Sequence, residues 1–223
     1  MSDLGPLELS MRVAAMATLL IVAVGLPAAW VLARREFPGK ALIAGLLVLP
    51  LVLPPTVLGY YLLQVLGRRA PIGHWLESTL GVTVVFHWSG AVIASAVAAF
   101  PLFLLPARGA FESVDPALED VARLLGRGET SVFLAVTLPL AWRGLAAGIV
   151  LAFARSLGDF GATLMVAGNI PGLTQTAALA IYDAIVLGND PARAGRLTLL
   201  ISAVSIVALL IVQRTMPSRR PAR

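Results

Sequence analysis

Residues 13–33, VAAMATLLIVAVGLPAAWVLA, run for 21 positions without a single charge. Wound as an α-helix at about 1.5 Å per residue, that stretch reaches about 31 Å. A bilayer's hydrocarbon core is about 30 Å thick, so the segment is long enough to cross it and stay. Its surroundings say the same. The chain is 58% hydrophobic and 13% charged, with a mean hydropathy of +0.88. A soluble domain carries about 45–50% apolar and about 25% charged residues. The excess apolar surface calls for lipid as its solvent.

Four further apolar runs follow. Residues 41–66 are free of charge but carry Pro50, Pro54 and Pro55. Residues 88–107 are also free of charge. Residues 140–167 are interrupted by Arg143, Arg155 and Asp159, and residues 197–213 form a shorter fifth run. The fold expected is therefore all-α: a polytopic integral membrane protein of about five transmembrane helices. The count is six if 160–182, where Gly168-Asn169-Ile170-Pro171-Gly172 reads as a turn, holds another. No long polar linker divides the chain, so residues 1–223 are read as one membrane domain.

Five crossings put the termini on opposite sides. Arg34, Arg35, Lys40, Arg108, Arg123, Arg127, Arg214, Arg219, Arg220 and Arg223 fall on one side, against Arg12, Arg68, Arg69, Arg193 and Arg196 on the other. Basic residues concentrate in cytoplasmic loops, so the N-terminus is expected outside and the C-terminus in the cytoplasm. The net charge of +5 then reflects orientation, and no nucleic-acid partner is expected.

Catalysis and metal binding find no support. Cysteine is absent, and His74 and His87 are the two histidines. No Gly-x-x-x-x-Gly-Lys-[Ser/Thr] phosphate loop occurs, and Ser156 has no evident base.

One segment breaks the apolar pattern: LEDVARLLGRGETSVFLAVTLP, residues 118–139. Asp115-Pro116 marks a helix start, with aspartate as N-cap and proline at the first helical position. Leu118, Val121, Ala122 and Leu125 share one helical face. Gly126 or Gly128 can end the helix in a left-handed conformation. A second short helix is expected from about Thr130, and Pro139 opens the next span. The result is a helix–turn–helix at the cytoplasmic surface, between spans three and four.

The spacing within this segment is similar to a known pattern. Asp120-Val121-Ala122, three residues, Gly126, nine residues and Val136-Thr137-Leu138-Pro139 resemble the "EAA" loop of ABC importer permeases. Departures are Asp for Glu at 120, Val for Ala at 121 and Val for Ile at 136. Three other stretches resemble the molybdate permease subunits of that superfamily: RREFPGK at 34–40, LPLVLPPTVLGYYLL at 49–63 and FARSLGDFGATLMVAGNIPGLTQTAALAIYDAI at 153–185.

The resemblance implies a bacterial cytoplasmic-membrane importer subunit. It would translocate molybdate or tungstate as one of two identical copies, bound to two cytoplasmic ATPase subunits that carry ATP and magnesium. A periplasmic or extracellular oxyanion-binding protein would dock outside. The loop at about 111–138 would couple to the ATPase, with Glu119, Asp120, Ala122, Arg123, Gly126 and Pro139 as its marked residues. This chain itself would bind no cofactor and hydrolyse nothing. Sulfate and thiosulfate permeases share much of the pattern and are the alternative. An ATP-independent channel or secondary transporter is a further rival, for which Asp159 is the sole mid-span carboxylate; a membrane-embedded enzyme lacks an interior nucleophile and base.

Two groups inside the apolar runs stand out. Pro54, Pro55 and Thr56 read either as a static kink or as a pore-lining break. Arg155 and Asp159, one helical turn apart, read either as a structural ion pair or as part of a translocation path or gate. Gly158 and Gly161 beside them would permit a bend or a close crossing. A charge at this depth costs about 2.5–3.5 kcal/mol on insertion scales, which is why it usually faces a cavity or a partner.

Overall fold

A computed structural model describes residues 4–81 and 83–215. Arg219, Arg220 and Arg223, used above to set orientation, lie outside the described residues. Helices and turns account for the described part, with no strand among those residues.

The first apolar run lies within α1 (Leu4–Arg34), a helix of 31 residues. The second run is not one straight span. It forms α2 (Lys40–Val52) and α3 (Pro55–Leu66), whose axes are bent by 119°. Two adjacent prolines cause the break. Neither offers an N–H, and each pushes the residue before it out of the helical region. Leu53 and Pro54 are accordingly extended, at ψ 138° and 137°. Of the two readings the sequence leaves open, a static kink or a break, the helix shows a complete interruption.

Residues 71–80, between the second and third apolar runs, wind into α4 (Pro71–Leu80). The third run is α5 (Trp88–Glu112), capped by His87, whose ring accepts from Ser89 N–H. A nine-residue helix, α6 (Pro116–Leu124), follows. Beyond it the chain differs from the expected separate second helix. α7 (Glu129–Val132), a π-turn at Phe133–Thr137 and α8 (Leu138–Leu157) run on as one continuous 29-residue span. Pro139 sits inside this span. A proline ring clashes with the carbonyl four residues back, and the wider π-turn makes room for it.

The fourth apolar run stops at Leu157. Residues 158–160 leave the helix, and α9 (Gly161–Ala167) starts afresh. Left-handed glycines at 168 and 172 shape the next loop before α10 (Ala177–Val186). At ten residues α10 cannot cross a bilayer, which takes about 20, so 160–182 supplies two short helices and a turn instead of a sixth span. α11 (Pro191–Thr215) completes the described chain. Among the described residues four helices are long and apolar enough to cross, and the count is five where the bent pair α2–α3 is taken as one broken span.

The packed centre is α1, α5 and α8. Phe103 of α5 is fully buried between glycines of the other two helices. A β-carbon on Gly25 would stand 2.6 Å from the Phe103 ring, and one on Gly148 would stand 3.0 Å from the Phe103 carbonyl oxygen. Small residues let membrane helices approach until backbone meets ring, where dispersion replaces the hydrophobic drive that lipid cannot supply.

Candidate functional site

Two regions gather the residues that the sequence marks. The first is the crossing of α3 with α9. Both helices begin at an interruption, after Pro54 and after Phe160, and the two interruptions meet. A β-carbon on Gly161 would stand 2.8 Å from Pro55 Cβ, and one on Gly59 would stand 2.7 Å from Met165 Cβ. Pro55 and Thr56 are thereby brought against Gly161, from a run about a hundred residues on, with Pro54, Gly158 and Asp159 in the chain segments that lead into the two helices. Discontinuous helices facing each other within the membrane are the architecture on which transporter sites are built.

Asp159 is 2% exposed and fully engaged. Its Oδ1 accepts from Arg155 Nη1 at 3.1 Å. Its Oδ2 accepts from Thr163 N–H at 3.0 Å and from Thr163 Oγ1 at 2.7 Å. The Thr163 hydroxyl in turn lies 3.3 Å from Ser95 Oγ on α5. The ion pair between Arg155 and Asp159 therefore exists, but the carboxylate also takes one of the free amides opening α9, that of Thr163, whose hydroxyl ties the helix to α5. Sequence reading missed Thr163 and Ser95. A threonine four residues after a buried aspartate was the available signal.

The second region is the charged end of the bundle, around α6. Ala122 faces inward as one apolar contact, but the rest of the expected apolar face points away from the protein. Leu118 is 49% exposed, Val121 54% and Leu125 78%, and Leu124, which is not on that expected face, is 87% exposed. Glu119, of the opposite character, is 7% exposed. The helix is turned inside out relative to a helix packed on its own core.

The turn after α6 is built for rigidity. Gly126 N–H donates to the Arg123 carbonyl at 2.9 Å, and Arg127 N–H donates to the Ala122 carbonyl at 3.1 Å. With Gly126 at φ +83°, this is the Schellman closure in which a residue with a β-carbon is strained. Arg123 fastens the turn from outside. It donates to Asp120 at 2.7 Å and to both oxygens of Glu129 at 2.7 and 3.1 Å. The bonds to Glu129, then those to Asp120, push its guanidinium still further above its ordinary range, so it stays charged at any working pH. Asp120 and Arg123 remain at the surface, while Glu119 reaches Arg34 at the end of α1 and Thr137 at the end of the π-turn. A polar cleft of about 450 Å³ opens here, lined by Arg34, Arg35, Glu119, Arg123 and Glu129 among others. Pro139 lies two residues past Thr137, within the span.

Residues 21–217 match the family described as binding-protein-dependent transport system inner membrane component. The chain is 48% identical over 203 residues to the molybdenum transport system permease protein ModB of Escherichia coli K12, covering 91% of this chain and 89% of that one. It is 42% identical over 210 residues to the putative molybdenum transport system permease protein YvgM of Bacillus subtilis, covering 94% and 92%. Among solved structures, it superposes on the inward-facing MetNI methionine ABC transporter with a TM-score of 0.70 at 13% identity, covering 94% and 92%. It also superposes on a bacterial alginate ABC transporter in complex with a pentasaccharide-bound periplasmic protein, with a TM-score of 0.74 at 16% identity, covering 97% and 78%. These likenesses in structure concern the fold.

Proposed function

The chain belongs to the family of binding-protein-dependent transport system inner membrane components, and from that premise we propose that it is the permease subunit of a molybdate importer. The molybdenum permeases of Escherichia coli and Bacillus subtilis, similar over nine-tenths of the chain, point to the substrate. The outward apolar face of α6 carries the mechanism. Lipid does not account for it, because Asp115, Asp120, Arg123, Arg127 and Glu129 crowd the same nine-residue helix and its turn. A short helix with apolar residues out, charges beside them and a rigid turn behind is shaped to enter a groove on a soluble protein.

That soluble protein is a cytoplasmic ATPase. Two copies of the chain form the pathway, each presenting its α6 to one ATPase subunit, and a binding protein delivers molybdate on the outer side. ATP binding draws the two α6 helices together, and the junction of α3 with α9 changes its opening toward one side of the cytoplasmic membrane. Hydrolysis resets it. The energy enters as a coupling between distant sites, and the bistable element is this chain. Arg155 lines the path, offering a cation to a passing oxyanion without holding it tightly, since conduction needs weak binding.

In proteoliposomes carrying the chain with its ATPase and binding protein, molybdate uptake is expected to require ATP and to be competed by tungstate, which has the same charge and nearly the same size. Uptake driven by an ion gradient without ATP would overturn the reading. Orientation has its own check. A reporter fused after Arg127 is expected in the cytoplasm and one fused after Arg69 outside. Both reporting the same side would defeat the five-crossing topology.

A further inference from the structure

We propose that Glu119 is a positioning residue that passes the displacement of α6 to spans one and four, with the Thr137 hydroxyl as its second grip. The inference rests on reading α6 as the coupling helix and names the transmission behind it.

α6 has little else to hold it. Its buried residues are Glu119 and Ala122, because its leucines point outward. A force applied to those leucines must cross to the membrane spans through the few groups on the inner side. Glu119 Oε1 accepts from Arg34 Nη2 at 2.8 Å and from Thr137 Oγ1 at 2.6 Å. Arg34 Nη2 also donates to the Val114 carbonyl at 3.1 Å, in the turn that enters α6. The Arg34–Glu119 pair thus joins the end of α1, the turn that enters α6 and the π-turn within span four.

Thr137 shows that this arrangement is specific. A helical threonine or serine usually returns its hydroxyl to the carbonyl one turn back. Thr18, Thr198 and Ser205 do so here, at 2.7, 2.8 and 2.8 Å. Thr137 instead sits at the close of the π-turn, where Leu138 N–H donates to the Phe133 carbonyl. That carbonyl would be the hydroxyl's ordinary acceptor. The hydroxyl of Thr137, a residue only 2% exposed, donates to Glu119 instead. Phe133, in the same turn, packs edge-on against Trp30 of α1 with ring centroids 6.0 Å apart. Polar and aromatic contacts together fasten the π-turn to both α1 and α6. A charge-assisted bond of this kind is short, directional and intolerant of a missing partner.

The test uses the complete importer in proteoliposomes and reads molybdate moved per ATP hydrolysed. Removing Glu119 would strand Arg34, so the informative change is Thr137→Val, which keeps the shape and deletes the donor. Complex assembly and basal hydrolysis are expected to remain, while molybdate moved per ATP falls about tenfold, the scale of one lost bond to a charged group. Thr137→Ser is expected to restore the ratio, which a merely steric role for the methyl group would not do. Glu119→Gln, which retains one acceptor oxygen, guards against misfolding of the valine variant and is expected to lower the ratio partway. A wild-type ratio in Thr137→Val, or in Glu119→Gln should the valine variant not assemble, overturns the proposal. The unaltered chain is the separate control on the importer reading: if it neither assembles with the ATPase nor takes up molybdate with ATP, that reading fails, whatever the variants do.

Discussion

Asp159→Leu is expected to lose most of the folded protein from the membrane. Three donors converge on this carboxylate, and none has another acceptor among the contacts described except the Thr163 hydroxyl, which can turn to Ser95. Breaking a buried ion pair by removing one partner costs about 3–5 kcal/mol. Arg155 keeps about a third of its side chain exposed, so the lower end applies. Loss of the cap on α9 adds about 1 kcal/mol. Asp159→Asn retains an oxygen for the Thr163 amide and is expected to cost less. The geometry also changes the design of the double variant. Deleting both charges as leucines would leave α9 uncapped, so Arg155→Leu with Asp159→Asn is the pair that separates structure from transport. Protein levels are expected to recover in that pair while uptake per assembled transporter stays low. Uptake at the unaltered rate would remove Arg155 from the path.

The second large effect falls on assembly. Leu124, the last residue of α6, and Leu125, its C-cap, are the two most exposed large apolar residues of this segment. Replacing either by aspartate breaks no contact within the chain, and surface changes of that kind usually stay within about 0.5 kcal/mol of stability. At the centre of an interface a buried anchor is worth about 2 kcal/mol or more, close to a 30-fold loss of affinity. Leu124→Asp with Leu125→Asp is therefore expected to abolish co-purification of the ATPase from a chain that still inserts and folds. Retention of the ATPase at unaltered yield would show that this face of α6 does not dock it.

The spans were legible because lipid imposes a simple requirement: about 20 apolar residues in a row. α1, α5 and α11 meet it, and their positions follow from hydropathy. α2 and α3 were not separable that way, since a hydropathy run is blind to direction. The paired prolines signalled a disturbance, but whether it is a kink or a 119° reversal depends on α9, which lies far along the chain. α4 was missed because a ten-residue amphipathic helix among polar residues looks like a loop. The cap of α6 at Asp115 and its closure at Gly126 were readable, being local chemistry. The orientation of α6 was not. Periodicity finds the apolar face but cannot say whether that face meets this chain or another. Glu119 was marked with the residues expected to meet the ATPase, whereas it turns inward to Arg34 and Thr137. Those two partners stand 85 and 18 residues away, beyond any local pattern.

The crossing of α3 with α9 also fixes an order of events during synthesis. α3 ends at Leu66 and its main packing partner opens at Gly161, some 95 residues later. A ribosome adding about 5–20 residues per second needs about 5–20 seconds to cover that interval. Through that time the glycine face at Gly59 has no Met165 to meet. The nascent segment 41–66, apolar throughout but already broken at its paired prolines, enters the bilayer before α9 exists, and the direction in which α3 leaves the break is fixed only when that later helix arrives. Membrane insertion and the final shape of this segment are consequently separate steps, and a chain truncated before residue 161 would insert a second span that it has no means to fold.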